Sequence, residues 1–156
     1  MEIRDFLSRD NALINVRAPD KTRLLQDLAA RAATALNLDA NLVSIELLKR
    51  EALGSTGTGD GVAIPHARIR DLRKPFGMLV RLRHAIDFDA IDGKPVDVVF
   101  LLLLPQSQGD PLNALASVAR KLRDPESVRR IRNAAGEMEL YDAIEAGPDV
   151  SAVAQK

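Results

Sequence analysis

From residue 98 to residue 104 the chain reads Val-Val-Phe-Leu-Leu-Leu-Leu, with no polar interruption. Successive side chains of a strand point to opposite faces, so a strand with one wet face alternates apolar and polar residues. This run does not alternate. It predicts a strand at 96–104 that is covered on both faces, as in sheets layered between helices. It is also far short of the roughly 20 residues needed to span a bilayer.

The remaining patterns supply the layers. Residues 12–16, 61–65 and 76–82 read as further strands. Asp20 caps a helical stripe of Leu25, Leu28, Ala29, Ala32 and Leu36. Asp39 opens a second helix, with Leu42, Ile45 and Leu48 expected inward, that should stop at Gly54. From Pro111 a third stripe runs through Leu112, Leu115, Val118, Ala119 and Leu122. Asp124-Pro125 ends it and begins another helix, and residues 137–145 complete the helical half. Interspersed helices and strands predict an α/β domain. A single domain over residues 1–146 is expected, with a frayed tail at 147–156.

Between the second helix and the next strand lies Gly-Ser-Thr-Gly-Thr-Gly-Asp-Gly, residues 54–61. Asp60 and Gly61 stand where a P-loop requires Lys and Ser/Thr, and a carboxylate there would repel phosphates. A dinucleotide fingerprint must follow a strand and open a helix, and this segment does the reverse. Ser55 lacks the G-x-S-x-G frame of a nucleophile elbow. What remains is either a nest of backbone N–H groups with small hydroxyls, suited to an anion, or a plain turn.

His66 follows directly, behind Pro65. Neutral imidazole is a nucleophile near neutral pH, and attack on a phosphoryl group gives an N-phosphorylated ring. Arg50, four residues before Gly54, offers a planar fork that fits phosphoryl oxygens, although an arginine at a helix C-terminus also simply complements the helix dipole.

Arg50-Glu51-Ala52-Leu53-Gly54-Ser55-Thr56-Gly57, followed by Gly59-Asp60-Gly61-Val62-Ala63-Ile64-Pro65-His66-Ala67, resembles the signature of the fructose/mannitol-type enzyme IIA domains of the bacterial phosphotransferase system. Within that group it is most similar to the nitrogen-regulatory IIA proteins. The likeness continues through Ile86 to Gly93 and the strand ending at Leu104-Pro105, and covers roughly residues 10 to 145. It implies a mixed central β-sheet flanked by helices on both faces. It also implies that His66 accepts a phosphoryl group, through Nε2, from a histidine-phosphorylated carrier protein. In that resemblance Arg50 contacts the group, and Gly54, Ser55, Thr56 and Gly57 form the phosphate-binding loop.

One position departs from the pattern. The family usually carries a second histidine at the start of the helix after the apolar strand. Here that region reads Gln108-Gly109-Asp110-Pro111-Leu112-Asn113, with Pro111 at the matching place. The alternative reading is therefore a degenerate IIA-like module that binds partners without being phosphorylated.

Other features fill in the expectations. His84, at an expected strand end, is read as an exposed or capping residue. Arg68, Arg70, Arg73 and Lys74 form a basic patch able to steer an acidic partner, Asp87, Asp89 and Asp92 an acidic counterpart, and Arg129, Arg130 and Arg132 an exposed helix face. The 22 basic and 22 acidic side chains cancel, which argues against a nucleic-acid binder. Cysteine is absent, and the N-terminal MEIRDFLSRDN has no apolar signal segment. A cytoplasmic protein without membrane insertion, metal or bound cofactor is expected.

Overall fold

In the computed structural model, residues 1–106 and 111–145 are described; the expected tail at 147–156 and the stretch 108–110 lie outside the described residues. The strand expected from the apolar run is β6, Val96–Pro105. It lies inside a mixed six-stranded sheet with β1 (Ala12–Val16), β2 (Gly57–Gly59), β3 (Val62–Ala63), β4 (His66–Ile69) and β5 (Phe76–Ile86). The order is β1-β5-β6-β3-β2, with β4 also paired to β6. β6 runs antiparallel to β5 and parallel to β3 and β4, while β1 and β5 are parallel.

The side chains of β6 explain its composition. Val98, Phe100, Leu102 and Leu104 enter one core, which also takes Val118, Leu122, Val128, Ile131 and Leu140. Val99, Leu101 and Leu103 enter the other, with Leu25, Leu28, Val43 and Leu47. Helices α1 (Lys21–Leu36) and α2 (Ala40–Leu53) thus cover one face. The other face carries α3 (Pro111–Arg123), α4 (Pro125–Asn133) and α5 (Glu137–Glu145). Three expected caps are made: Asp20 accepts from the Arg23 N–H, Asp39 from Asn41, and Asp124 from Glu126.

Three local expectations need correction. The inward stripe of α2 is Val43, Leu47 and Glu51, whereas Ile45 is 54% exposed. A charged residue completes the buried row, so reading only apolar side chains rotates the helix. The strand expected at 61–65 is only Val62–Ala63, and His66 does not follow a strand but opens β4. The two short strands keep one register along β6, Ala63 opposite Val99 and His66 opposite Leu102. Between them Pro65 has no N–H to give, and the Ile64 N–H goes instead to the Thr56 carbonyl, 3.0 Å away. Finally, β5 continues to Ile86, so the exposed His84 lies within a strand rather than at its end.

Among the described residues no helix is long and apolar enough to cross a membrane, and no three His, Cys, Asp or Glu side chains group as a metal site.

Candidate functional site

The interruption at Ile64-Pro65 sets the orientation of the histidine. Ile64 has spent its N–H on Thr56, and its carbonyl lies 2.8 Å from His66 Nδ1. A carbonyl oxygen only accepts, so Nδ1 must carry the proton, and the lone pair of the neutral ring is on Nε2. Burial, with the Arg50 guanidinium adding to it, holds the imidazole below its ordinary pKa of 6.5; the Ile64 contact and the Glu51 charge pull the other way. At neutral pH the ring is therefore unprotonated at Nε2.

His66 is half-buried and lines an open groove of about 730 Å³. Arg50, Ala52 and Leu53 line it from the end of α2, and Gln106 and Leu115 line it as well. Arg50 occupies the last turn of its helix, where the macrodipole favours a cation. Its Nη1 donates to the Gly54 carbonyl at 2.8 Å, leaving the rest of its fork uncommitted in these contacts. Gly54 ends the helix with φ of 155°, a conformation reserved for glycine, and has open space around it. Histidine and arginine are thus brought to one groove.

The loop is placed differently from a nest open toward the ring. The Ser55 hydroxyl donates to the Phe88 carbonyl at 2.6 Å and accepts from the Gly57 N–H at 3.0 Å. Thr56 gives its N–H to Glu51 Oε1 at 3.1 Å and its hydroxyl to Glu51 Oε2. Gly57 is a glycine because an added Cβ would come within 2.8 Å of Ala90. Both hydroxyls and the N–H groups of Gly54, Thr56 and Gly57 are spent on the protein itself, so the loop is a frame whose geometry is fixed in advance.

Glu51 and Lys21 are the residues that sequence reasoning missed. The Glu51 carboxylate is buried and meets Lys21 Nζ at 2.9 Å. Lys21 also donates to the Phe88 carbonyl at 3.3 Å and lies over the Phe88 ring. The signal available in the sequence was the polar residue at the third position of the Val43-Leu47-Glu51 row.

Of the remaining charged features, Arg68 lines the groove, while Arg73 and Lys74 border a separate hollow beside residues 4–8. Asp89 stands 3.7 Å from Lys21, and Asp92 accepts from the N–H groups of Asp60 and Lys94. Arg129 pairs with Glu126, whereas Arg132 does not sit idle on a helix face: it reaches Asp97 at 2.8 Å and the Asp60 carbonyl at 2.6 Å. His84 is not among the groove's lining residues, so of the chain's two histidines only His66 is at this site.

Comparison with known proteins identifies the family and the fold. Residues 5–147 match the family described as "Phosphoenolpyruvate-dependent sugar phosphotransferase system, EIIA 2". The chain is 40% identical to a nitrogen regulatory protein of Bradyrhizobium diazoefficiens over 97% of its own length and all of that protein's. It is 38% identical to the Escherichia coli K12 nitrogen regulatory protein, covering 92% of this chain and 90% of that one. The crystal structure of the nitrogen regulatory protein IIA-Ntr from Neisseria meningitidis superposes with a TM-score of 0.85 at 31% identity, covering 91% of this chain and 98% of that one. The mannitol IIA of Escherichia coli shares the fold at 15% identity, with a TM-score of 0.72 over 86% of this chain and 96% of that one.

Proposed function

The chain belongs to the EIIA 2 family of the phosphoenolpyruvate-dependent sugar phosphotransferase system, and from that premise we propose that it is a phosphohistidine carrier acting in nitrogen or metabolic regulation. His66 takes the phosphoryl group from a histidine-phosphorylated carrier protein in the cytoplasm. The observation that carries this reading is the Nδ1 contact to Ile64, which leaves the Nε2 lone pair free beside a groove walled by Arg50.

In the transfer, the Nε2 lone pair forms the new N–P bond as the donor's N–P bond breaks, and that bond's electron pair returns to the donor imidazole. One phosphoryl group moves, and Nδ1 keeps its proton, donated to the Ile64 carbonyl, throughout. Arg50 releases the Gly54 carbonyl and turns its fork to the equatorial oxygens, where charge-assisted bonds are strongest. The half-buried setting keeps the ring neutral before attack. The regulatory role is supported by the similarity to nitrogen regulatory proteins over nearly the whole chain.

The test is intact-protein mass spectrometry after incubation with phosphoenolpyruvate and the two general phosphotransferase proteins. One acid-labile phosphoryl mass is expected, absent in His66→Ala. Arg50→Ala should slow its appearance by about 100-fold, as removal of a preorganised charge donor does, and Arg50→Lys should recover part of the rate. If a control IIA protein is modified and this one is not, the degenerate binding module becomes the better reading.

A further inference from the structure

Glu51 and Lys21 do not line the His66 groove, yet a buried charge on each is an expensive way to hold a helix end. Their contacts show what they hold. The carboxylate takes both donors of Thr56, one on each oxygen, so the plane of the Thr56 peptide and the χ1 of its side chain are both specified. The Thr56 carbonyl in turn accepts from the Ile64 N–H. Ile64 is the residue whose carbonyl fixes the His66 ring. Glu51, Thr56, Ile64 and His66 therefore form one unbroken line of hydrogen bonds, running from the buried face of α2 to the ring nitrogen.

Lys21, at the first position of α1, completes the carboxylate's surroundings and ties it to the Phe88 carbonyl, the same atom that receives the Ser55 hydroxyl. The loop is thus held from two sides, by Glu51 at Thr56 and by Phe88 at Ser55. Lys21 bridges the two anchors.

We propose that Lys21 and Glu51 are positioning residues for phosphoryl acceptance, acting through Thr56 and Ile64 to hold the His66 ring with Nε2 facing the groove. The inference rests on the phosphohistidine reading above. It adds residues that touch neither the phosphoryl group nor the ring, and it assigns Thr56 to holding the histidine rather than to binding phosphate.

The experiment measures single-turnover phosphorylation of the full chain by a histidine-phosphorylated carrier, in wild type, Thr56→Val, Thr56→Ser and the Lys21→Met/Glu51→Gln pair. The paired change removes both charges together, so neither is left buried alone. Thr56→Val and the double variant should each slow transfer by 10- to 100-fold, on the order of the loss that follows a small misplacement of a reacting group. Thr56→Ser keeps both donors and should restore the wild-type rate.

A purely structural role would leave the ring's titration alone, so the His66 ring pKa is read by NMR in the same variants. The charges acting on the ring are Arg50 and Glu51 from the end of α2, and Glu46 and Lys49 of the same helix and Arg68 of β4 also line its groove. Thr56→Val changes no charge, so loosening of the Ile64 contact that raises the ring pKa should move it further down in that variant. If wild type is phosphorylated and both Thr56→Val and the double variant match its rate, the positioning role is overturned while the carrier reading stands. If wild type takes no phosphoryl group, both fall together.

Discussion

At its helix-side end, residues 54–57, the glycine-rich segment is anchored to a buried pair, with 5% and 16% of the Glu51 and Lys21 side chains exposed. At its hairpin end, residues 59–61, it is anchored to Arg132 and Asp97, of which 37% and 32% is exposed. Both pairs do the same mechanical job of tying a loop to a neighbouring element. They differ in what water can repair. Around Arg132 and Asp97, solvent can replace a lost partner, so the pair contributes little net stability. Around Glu51 no such replacement is at hand, and loss of one partner leaves a charge in the core. The rigid end is the one beside His66.

The glycines differ in the same sense. Gly61 takes a positive φ of 82° in a turn, with Arg132 packed where a side chain would start. Gly57 is excluded from having a side chain by the backbone and Cβ of Ala90, which do not swing aside. The sharpest way to break the contrast is therefore Gly57→Ala. Overpacking of this kind costs about 1–3 kcal/mol, read in thermal or denaturant unfolding, and it should also slow phosphoryl acceptance because Ser55 and Thr56 move with it.

A smaller effect comes from protons. The folded His66 has a pKa below its ordinary 6.5, so between those two values the unfolded chain binds the proton and the folded chain does not. The histidine's contribution to stability is complete above pH 6.5 and is lost as pH falls through the folded value. By the same sign, the acid limb of phosphoryl acceptance should fall below pH 6.5. An NMR titration of the ring with its inflection at or above 6.5 would contradict the burial argument.

The smallest effect belongs to the hairpin end. Asp97→Asn should change stability by no more than about 1 kcal/mol, the range of exposed ion pairs, and should leave the phosphorylation rate at the wild-type value. A large rate loss there would show that the two ends are mechanically one unit, and the contrast between them would dissolve.

Much of this arrangement was legible in the residues. The uninterrupted apolar run of β6 implies two covered faces, and both are filled. Asp20, Asp39 and Asp124 announce their helices because a short carboxylate is the cheapest acceptor for an orphan N–H. Arg50 and His66 were readable as candidates from residue type and spacing, and the fold brings them to one groove.

The unread parts share one cause. Glu51 scores as a surface residue until Lys21, from another helix, is placed 2.9 Å from it, and only the tertiary fold does that. Pro65 reads as the end of a strand, but β6 supplies the same register on both sides of it and so carries the strand across. Arg132 reads as an exposed helix residue and is one, but its bonds to Asp97 and the Asp60 carbonyl go unread because those partners come from other elements. Wherever a polar group's partner comes from a distant element, the local pattern leaves that partner unread.

The central claim is that the Ile64 carbonyl chooses the reactive nitrogen. Long-range proton–nitrogen NMR of the phosphorylated protein tests it directly, because the two ring nitrogens of His66 give separate signals. The account predicts phosphorus coupling at Nε2, with Nδ1 still carrying its proton. Phosphorus on Nδ1, or a stable phosphoryl adduct on any residue other than His66, would contradict it.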